Sequence, residues 1–266
     1  MLALIGTHHY DKFAERRVEK VIEAYNPETI FVEGVENWDI VRAKDSELKK
    51  ELDSISESLP PKYRDVFLDL IKKKTEEFKS PTERFVREVA NDSKIIYLDD
   101  EDIYRKFLSQ CYKDLISQLK SEISFLSSNS KKNKEKDFYM LAQTIIKSIT
   151  FEYPDTVYNL ILQREDNLEE ILTKDFKLSE KLAEEFAEGI RYCYKPQNIA
   201  ALIPDYYLLG KRDKIWFEKV REINPKDAVA FVGIIHAIPE IENNFYNLLK
   251  TRMEVKFLPL IDAENL

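Results

Sequence analysis

Leu2-Ala3-Leu4-Ile5-Gly6-Thr7-His8-His9 and, one helix later, Thr29-Ile30-Phe31-Val32-Glu33-Gly34 decide how this chain is read. Leu2 to Ile5 is aliphatic without a polar interruption, as in a strand covered on both faces. Between the two runs, Val18, Val21, Ile22 and Tyr25 recur at the spacing of one helical stripe. Asp11 is placed to cap that helix, and Asn26-Pro27 to stop it. The first 34 residues therefore predict a βαβ unit with parallel strands and a right-handed crossover. In such sheets ligands bind beyond the carboxyl ends of the strands, where His8, His9 and Glu33 would emerge.

The pattern returns near the C-terminus. Ala228 to Val232 reads as a strand, Gly233-Ile234-Ile235-His236 as the turn after it, and Pro239 as the first position of a helix with Glu240 and Glu242 in its first turn. Val255 to Leu258 predicts a last strand, and Lys94 to Leu98 one in the middle that ends at Asp99-Asp100. The fold expected is α/β: a mostly parallel sheet of about five strands built from both chain ends, with a large helical insertion. The core is expected from residues 1–100 and 204–266, and the insertion from 101–203.

Two rare residue types mark the same places. The chain has five glycines in 266 residues, under a third of the usual share of about 7%. Gly6, Gly34 and Gly233 lie at or beside strand ends, and all three histidines, His8, His9 and His236, follow a strand-end glycine by two or three residues. Elsewhere the sequence is helical in character. Ser80-Pro81-Thr82-Glu83 is a capping box with proline at the first helical position, and Leu182, Phe186, Ile190 and Cys193 recur at helical spacing. Residues 127–137 carry no apolar side chain and read as a mobile connection.

Composition removes several classes. Forty-one Lys and Arg against 49 Asp and Glu give a formal charge of −8, which argues against a nucleic-acid binder working by counterion release. With 44% hydrophobic and 34% charged residues the chain suits a soluble globule. The first apolar run stops after five residues with no basic stretch before it, so neither a signal peptide nor a membrane segment is expected. Cys111 and Cys193 cannot supply a zinc-finger ligand set; buried thiols in a reducing cytoplasm are expected. GxGxxG, P-loop, HExxH and GxSxG signatures are missing.

Gly6-Thr7-His8-His9, the following helix, Pro27 and the strand ending in Glu33 together resemble the opening of the TraB/PrgY/TIKI family, with its GTxH turn. A second family hallmark, GxxH after a late strand, is matched by Gly233-Ile234-Ile235-His236, and Arg212-Asp213 resembles the Arg-Asp or Arg-Asn pair upstream of it. The resemblance covers roughly residues 2–35 and 204–258. Departures are Trp38, where the family commonly has an arginine, and Asp99-Asp100, in place of an acidic-Arg pair. A membrane segment found in many members is also missing.

The resemblance implies a hydrolase of peptide (amide) or ester bonds with His9, Glu33, His236 and Arg212 as catalytic groups. His8, Asp213 and Asp99 are placed near the substrate. In the metal-dependent version, His9, Glu33 and His236 ligate a divalent ion, Mn²⁺, Co²⁺ or Zn²⁺, which activates water. Related erythromycin-esterase-like proteins imply a metal-free version. There His9 is the general base, Glu33 orients it, and Arg212 holds a carboxylate or developing oxyanion. The competing reading is a non-catalytic protein that sequesters a peptide, a pheromone or, as ChaN-like relatives imply, haem. Expected partners are a peptide or small-molecule substrate, with no nucleic acid or membrane segment and a homodimer left open.

Plainer readings stand beside these. His8 fits a loop residue turned toward the core, and Glu33 a surface or helix-dipole residue. Arg212 and Asp213 fit a solvated helix face with local ion pairs. Asp99 to Asp102 fit an acidic helix N-terminus, and Tyr206, Tyr207, Trp216 and Phe217 fit core.

Overall fold

In a computed structural model of the chain, residues 1–36, 81–90, 92–127, 133–202 and 211–266 are described, with isolated positions between 50 and 64. Among the described residues five strands form one all-parallel sheet in the order β3-β2-β4-β1-β5. They are β1 (Leu2–Thr7), β2 (Thr29–Val32), β3 (Lys94–Tyr97), β4 (Ala228–Gly233) and β5 (Val255–Pro259). The fold is the expected α/β class, with strands from both ends of the chain and helices through its middle. Leu2, Leu4, Phe31, Ala230 and Val232 alternate along the strands with Ala3, Ile5, Ile30, Val229 and Phe231, and all ten are buried. Both faces are thus covered at β1, β2 and β4, the centre of the sheet, which explains the unbroken apolar runs there, while the edge strands β3 and β5 are partly exposed.

The helices are α1 (Ala14–Tyr25), α2 (Pro81–Val89), α3 (Glu101–Ser127), α4 (Asn133–Glu152), α5 (Pro154–Ile161), α6 (Leu168–Lys174), α7 (Glu180–Tyr194), α8 (Pro196–Leu202), α9 (Lys211–Ile223), α10 (Ile234–Ala237) and α11 (Phe245–Lys250). A 3₁₀ segment, Leu260–Asn265, follows β5. No helix among the described residues is long and apolar enough to cross a membrane.

The chain divides into two compact units. One comprises Met1–Val35, Ser80–Asp100 and Ile149–Leu266, and so holds the whole sheet together with α5 to α8. The other comprises Glu36–Lys79 and Glu101–Ser148. Within it α3 and α4 meet through Phe125 and Tyr139, whose rings lie edge-on at 5.5 Å, and Lys136 Nζ donates to the Leu126 carbonyl at 3.0 Å.

Several local expectations are corrected. Asp11 does not cap α1: the helix starts at Ala14, and Asp11 Oδ1 accepts from the Phe13 amide at 2.9 Å, an Asx turn that ends before the helix begins. Pro239 opens no helix. It forces Ile238 into an extended conformation (φ −70°, ψ 125°) and so terminates α10, while α11 waits for Asn244, whose side chain accepts from the Asn247 amide at 3.0 Å. The connection read at 127–137 is helical again from Asn133; residues 128–132 lie outside the described residues. On α7 the fully buried face is Ala183, Ala187 and Ile190, one position on from the stripe inferred for Leu182 and Phe186. Cys193 is exposed, not buried; the Cys111 side chain lies outside the described residues, as do Trp38, Tyr206 and Tyr207. Trp216 is fully buried in the core, with Phe217 packed partly against it.

Candidate active site

The site exists because β4 is inserted between β1 and β2. Leu2 to Thr7 pair in register with Ala228 to Gly233 on one side, and Thr29 to Val32 pair with Ala228 to Phe231 on the other. Thr7 Oγ1 donates to the Val232 carbonyl at 3.0 Å, tying the two strand ends together. The chain leaving β1 carries His9, the chain leaving β2 carries Glu33, and the short helix after β4 carries His236. The three groups meet around Gly233. A Cβ built there lies 3.3 Å from Glu33 Oε2, 3.5 Å from His236 Cδ2 and 3.7 Å from His9 Nε2. Gly233 has an ordinary backbone (φ −51°, ψ 137°), so what this position demands is space for the three side chains, not left-handed freedom.

Glu33 is clamped. Its Oε2 accepts the Gly233 amide at 2.6 Å and its Oε1 lies 2.8 Å from Arg212 Nη1. Burial by itself pushes this carboxyl up. Arg212, then His236, His9 and the Gly233 amide outweigh burial and hold it down at about 2. Gly34, just beyond it, adopts φ 115°, a conformation that favours glycine. That bend lets the Gly34 amide donate to Asp99 Oδ2 at 2.9 Å.

Arg212 is buried, which overturns the solvated-face reading of α9. Its Nε donates to Asp99 Oδ1 at 2.8 Å, its Nη2 to Asp99 Oδ2 at 2.6 Å, and its guanidinium lies 4.5 Å from the Trp216 ring centroid. Asp99 also accepts from Trp216 Nε1 at 2.9 Å. It therefore stands one layer behind Glu33, and only Glu101 and Asp102 of the acidic run occupy the first turn of a helix. The order is Asp99–Arg212–Glu33, a charge-assisted chain ending at the strand edge.

His236 is held by the neighbouring residue of α9. Its Nδ1 lies 2.9 Å from Asp213 Oδ1, and both side chains are almost fully buried. Burial works against its charged form, but Asp213, through charge and hydrogen bond, and Glu33 outweigh burial, so its pKa is raised. His9 goes the other way: burial, joined by Arg212 and His236, outweighs the pull of Glu33 and lowers it. His8 is lowered as well, to about 3, by burial and by His9. Its ring lies edge-on to Tyr10 at 5.3 Å and to Tyr158 at 5.8 Å.

Two imidazoles with opposed pKa directions and one ionised carboxylate at a strand edge form an acid–base constellation. A three-ligand metal centre is a poorer match to the donor set, because both oxygens of Glu33 are already engaged, one by a cation. Among the described residues no group of three or more His, Cys, Asp or Glu side chains is arranged to hold an ion.

Sequence reasoning missed Tyr158, whose hydroxyl accepts the His8 amide at 2.8 Å, and the burial of Asp11 and Arg17 as a pair at 2.8 Å. For Arg17 the available signal was its place next to Val18, on the border of the apolar stripe. Tyr158 gave none, one of fourteen tyrosines with no motif around it. Compared with family models, curated proteins and solved structures, the chain finds no match.

Proposed function

We propose that this chain is a hydrolase of amide or ester bonds that works by general acid–base catalysis, with His9 as base and His236 as acid. The observation that carries the reading is the meeting of His9, Glu33 and His236 around Gly233, from three strand ends spread over more than 200 residues of chain. The resemblance to the TraB/PrgY/TIKI and erythromycin-esterase-like proteins supports it from the sequence side.

His9, kept neutral by burial, is in the form that can take a proton from water as that water attacks the carbonyl carbon. Glu33, ionised beside it, stabilises the imidazolium so formed. His236, whose charged form Asp213 favours, hydrogen-bonds to the developing oxyanion and then gives its proton to the leaving oxygen or nitrogen. Asp213 fixes which nitrogen of His236 is left for the reaction, since Nδ1 is already engaged. Arg212 is spent on Asp99 and Glu33, so in this reading it sets Glu33 and does not receive a substrate carboxylate. The exposed thiol of Cys193 suits a reducing cytoplasm, where a peptide or small ester is the substrate.

The test is hydrolysis of p-nitrophenyl butyrate and of a peptide library by wild type, His9→Gln and His236→Gln, each with and without EDTA. Loss of turnover in both variants, with the wild type indifferent to chelator, supports the proposal. Chelator-sensitive turnover restored by Mn²⁺, Co²⁺ or Zn²⁺ replaces it with the metal-dependent version. Peptides retained intact by wild type, and released by either variant, replace it with sequestration.

A further inference from the structure

His236 has Asp213 to orient its ring, but among the described residues His9 Nδ1 has no hydrogen-bond partner. No bond at Nδ1 fixes the His9 ring, so the position of its backbone matters all the more for where the ring lies. That backbone is pinned at His8 from both sides. The His8 carbonyl accepts the Asp11 amide at 3.0 Å, and the His8 amide donates to the Tyr158 hydroxyl at 2.8 Å. Because an amide can only donate, the hydroxyl accepts there and its own proton points elsewhere. It points to Asp11 Oδ2, at 3.4 Å, the same oxygen that receives Arg17 Nη1 at 2.8 Å. Arg17 is fixed in turn by Asp155 at 2.9 Å, on the same helix as Tyr158. Tyr158 is fully buried, and its pKa is raised well above 10 by burial and by Asp11, so the phenol keeps its proton.

We infer that Tyr158, 150 residues from His8 in sequence, is the positioning residue for His9, acting through the His8 amide with Asp11 as its anchor. Helix α5 is then part of the site's frame and not a dispensable insertion. The ends of the loop from Thr7 to Asp11 are held, at Thr7 by the Val232 carbonyl and at Asp11 by the Phe13 and Ala14 amides and Arg17, while at His8 the backbone bonds are its amide on the phenol and its carbonyl on the Asp11 amide. Removing the phenol oxygen frees the His8 amide while leaving the ring, and its edge contact with His8, in place. A base displaced by about 1 Å loses on the order of a hundredfold in rate, so a small rotation at His8 has a large effect on His9. Only this effect on rate rests on the hydrolase reading; the positioning does not.

The variant is Tyr158→Phe. The chain has three histidines, so a ¹H–¹³C spectrum shows three imidazole Cε1–Hε1 signals, assigned with His8→Gln, His9→Gln and His236→Gln. The inference expects the His8 and His9 signals of folded Tyr158→Phe to move or broaden while the His236 signal stays. Where p-nitrophenyl butyrate is turned over, kcat is expected to fall about tenfold or more with KM within about twofold. A folded variant whose three signals coincide with wild type overturns the inference. So does one in which all three shift together, the mark of a general loosening. If Tyr158→Phe does not fold, Asp11→Asn, which weakens the anchor while preserving shape, is read by the same signals and the same rule. Absence of any hydrolysis sinks the proposed activity and leaves the spectral result to decide the positioning.

Discussion

Arg212→Met withdraws the guanidinium from between Glu33 and Asp99 while keeping an unbranched side chain over Trp216. In the native structure the guanidinium lies 2.8 Å from Glu33 and 2.6 Å from Asp99, with only 4% of the Arg212 side chain exposed. Removing one partner of such a buried pair costs about 3–5 kcal/mol, because the remaining charges stay in the interior uncompensated. Glu33 gives a second route to the magnitude. Its carboxyl is held at about 2 against an ordinary 4.5, and at about 1.4 kcal/mol per pH unit that is worth about 3 kcal/mol of stability. With 16% of its side chain exposed, solvent screening removes little of this. A depressed folded pKa contributes fully above 4.5, and the contribution is lost as pH falls from there toward 2. Urea unfolding followed by circular dichroism, at pH 7 and in steps down to pH 3, is the assay. The variant should be about 3–5 kcal/mol less stable at pH 7, and its stability should fall less steeply below pH 4.5. A variant within about 1 kcal/mol of wild type at pH 7, with an unchanged acid limb, refutes the clamp.

Gly233→Ala should retain the fold, since its φ and ψ suit alanine, yet lower turnover of p-nitrophenyl butyrate about tenfold or more by placing a methyl 3.3 Å from Glu33 and 3.7 Å from His9; an unchanged rate contradicts the assigned pocket. Asp213→Asn concerns His236, whose raised pKa contributes stability that is complete below its ordinary 6.5 and lost as pH rises through its folded value. Urea midpoints at pH 6, 7.5 and 9 should therefore decline more in wild type than in the variant, and parallel curves would argue that Asp213 does not hold the imidazolium. In a histidine titration by NMR, His8 and His9 should stay neutral to below their ordinary 6.5 while His236 titrates above it. A His9 signal that titrates above His236 would exchange the base and acid roles.

Much of the site could be read locally. Glu33 and His236 were each legible as the first polar group after an aliphatic run, and His9 as one of two histidines just past another, because a strand buried on both faces announces itself by its lack of alternation. Gly34 and Gly233 were legible as punctuation, though for different reasons: one turns the chain at φ 115° and the other makes room. Arg212 and Asp213 were singled out by resemblance alone; their burial and partners were not legible. Among Lys211 and Lys214 they look like any charged helix face, and only packing on the sheet turns that face inward. Helix starts were the weakest part, as at Asp11 and Pro239, where a turn of the same residue types competes with a cap.

The sequence by itself determined that this protein has short aliphatic strands toward both ends of the chain, that a glycine lies at or beside the end of three of them, and that histidine or glutamate stands close by. Those properties depend on neighbours within a few residues, where sterics and hydrophobic period act. The tertiary structure alone decided that β4 enters between β1 and β2, pairing residues about 225 apart and bringing His9, Glu33 and His236 to one glycine. It also decided that Tyr158 steadies the turn from a distant helix. A parallel strand can accept any partner whose backbone groups are free, so which one it takes is settled by how the helices bury both faces of the sheet, and that is a property of the whole chain.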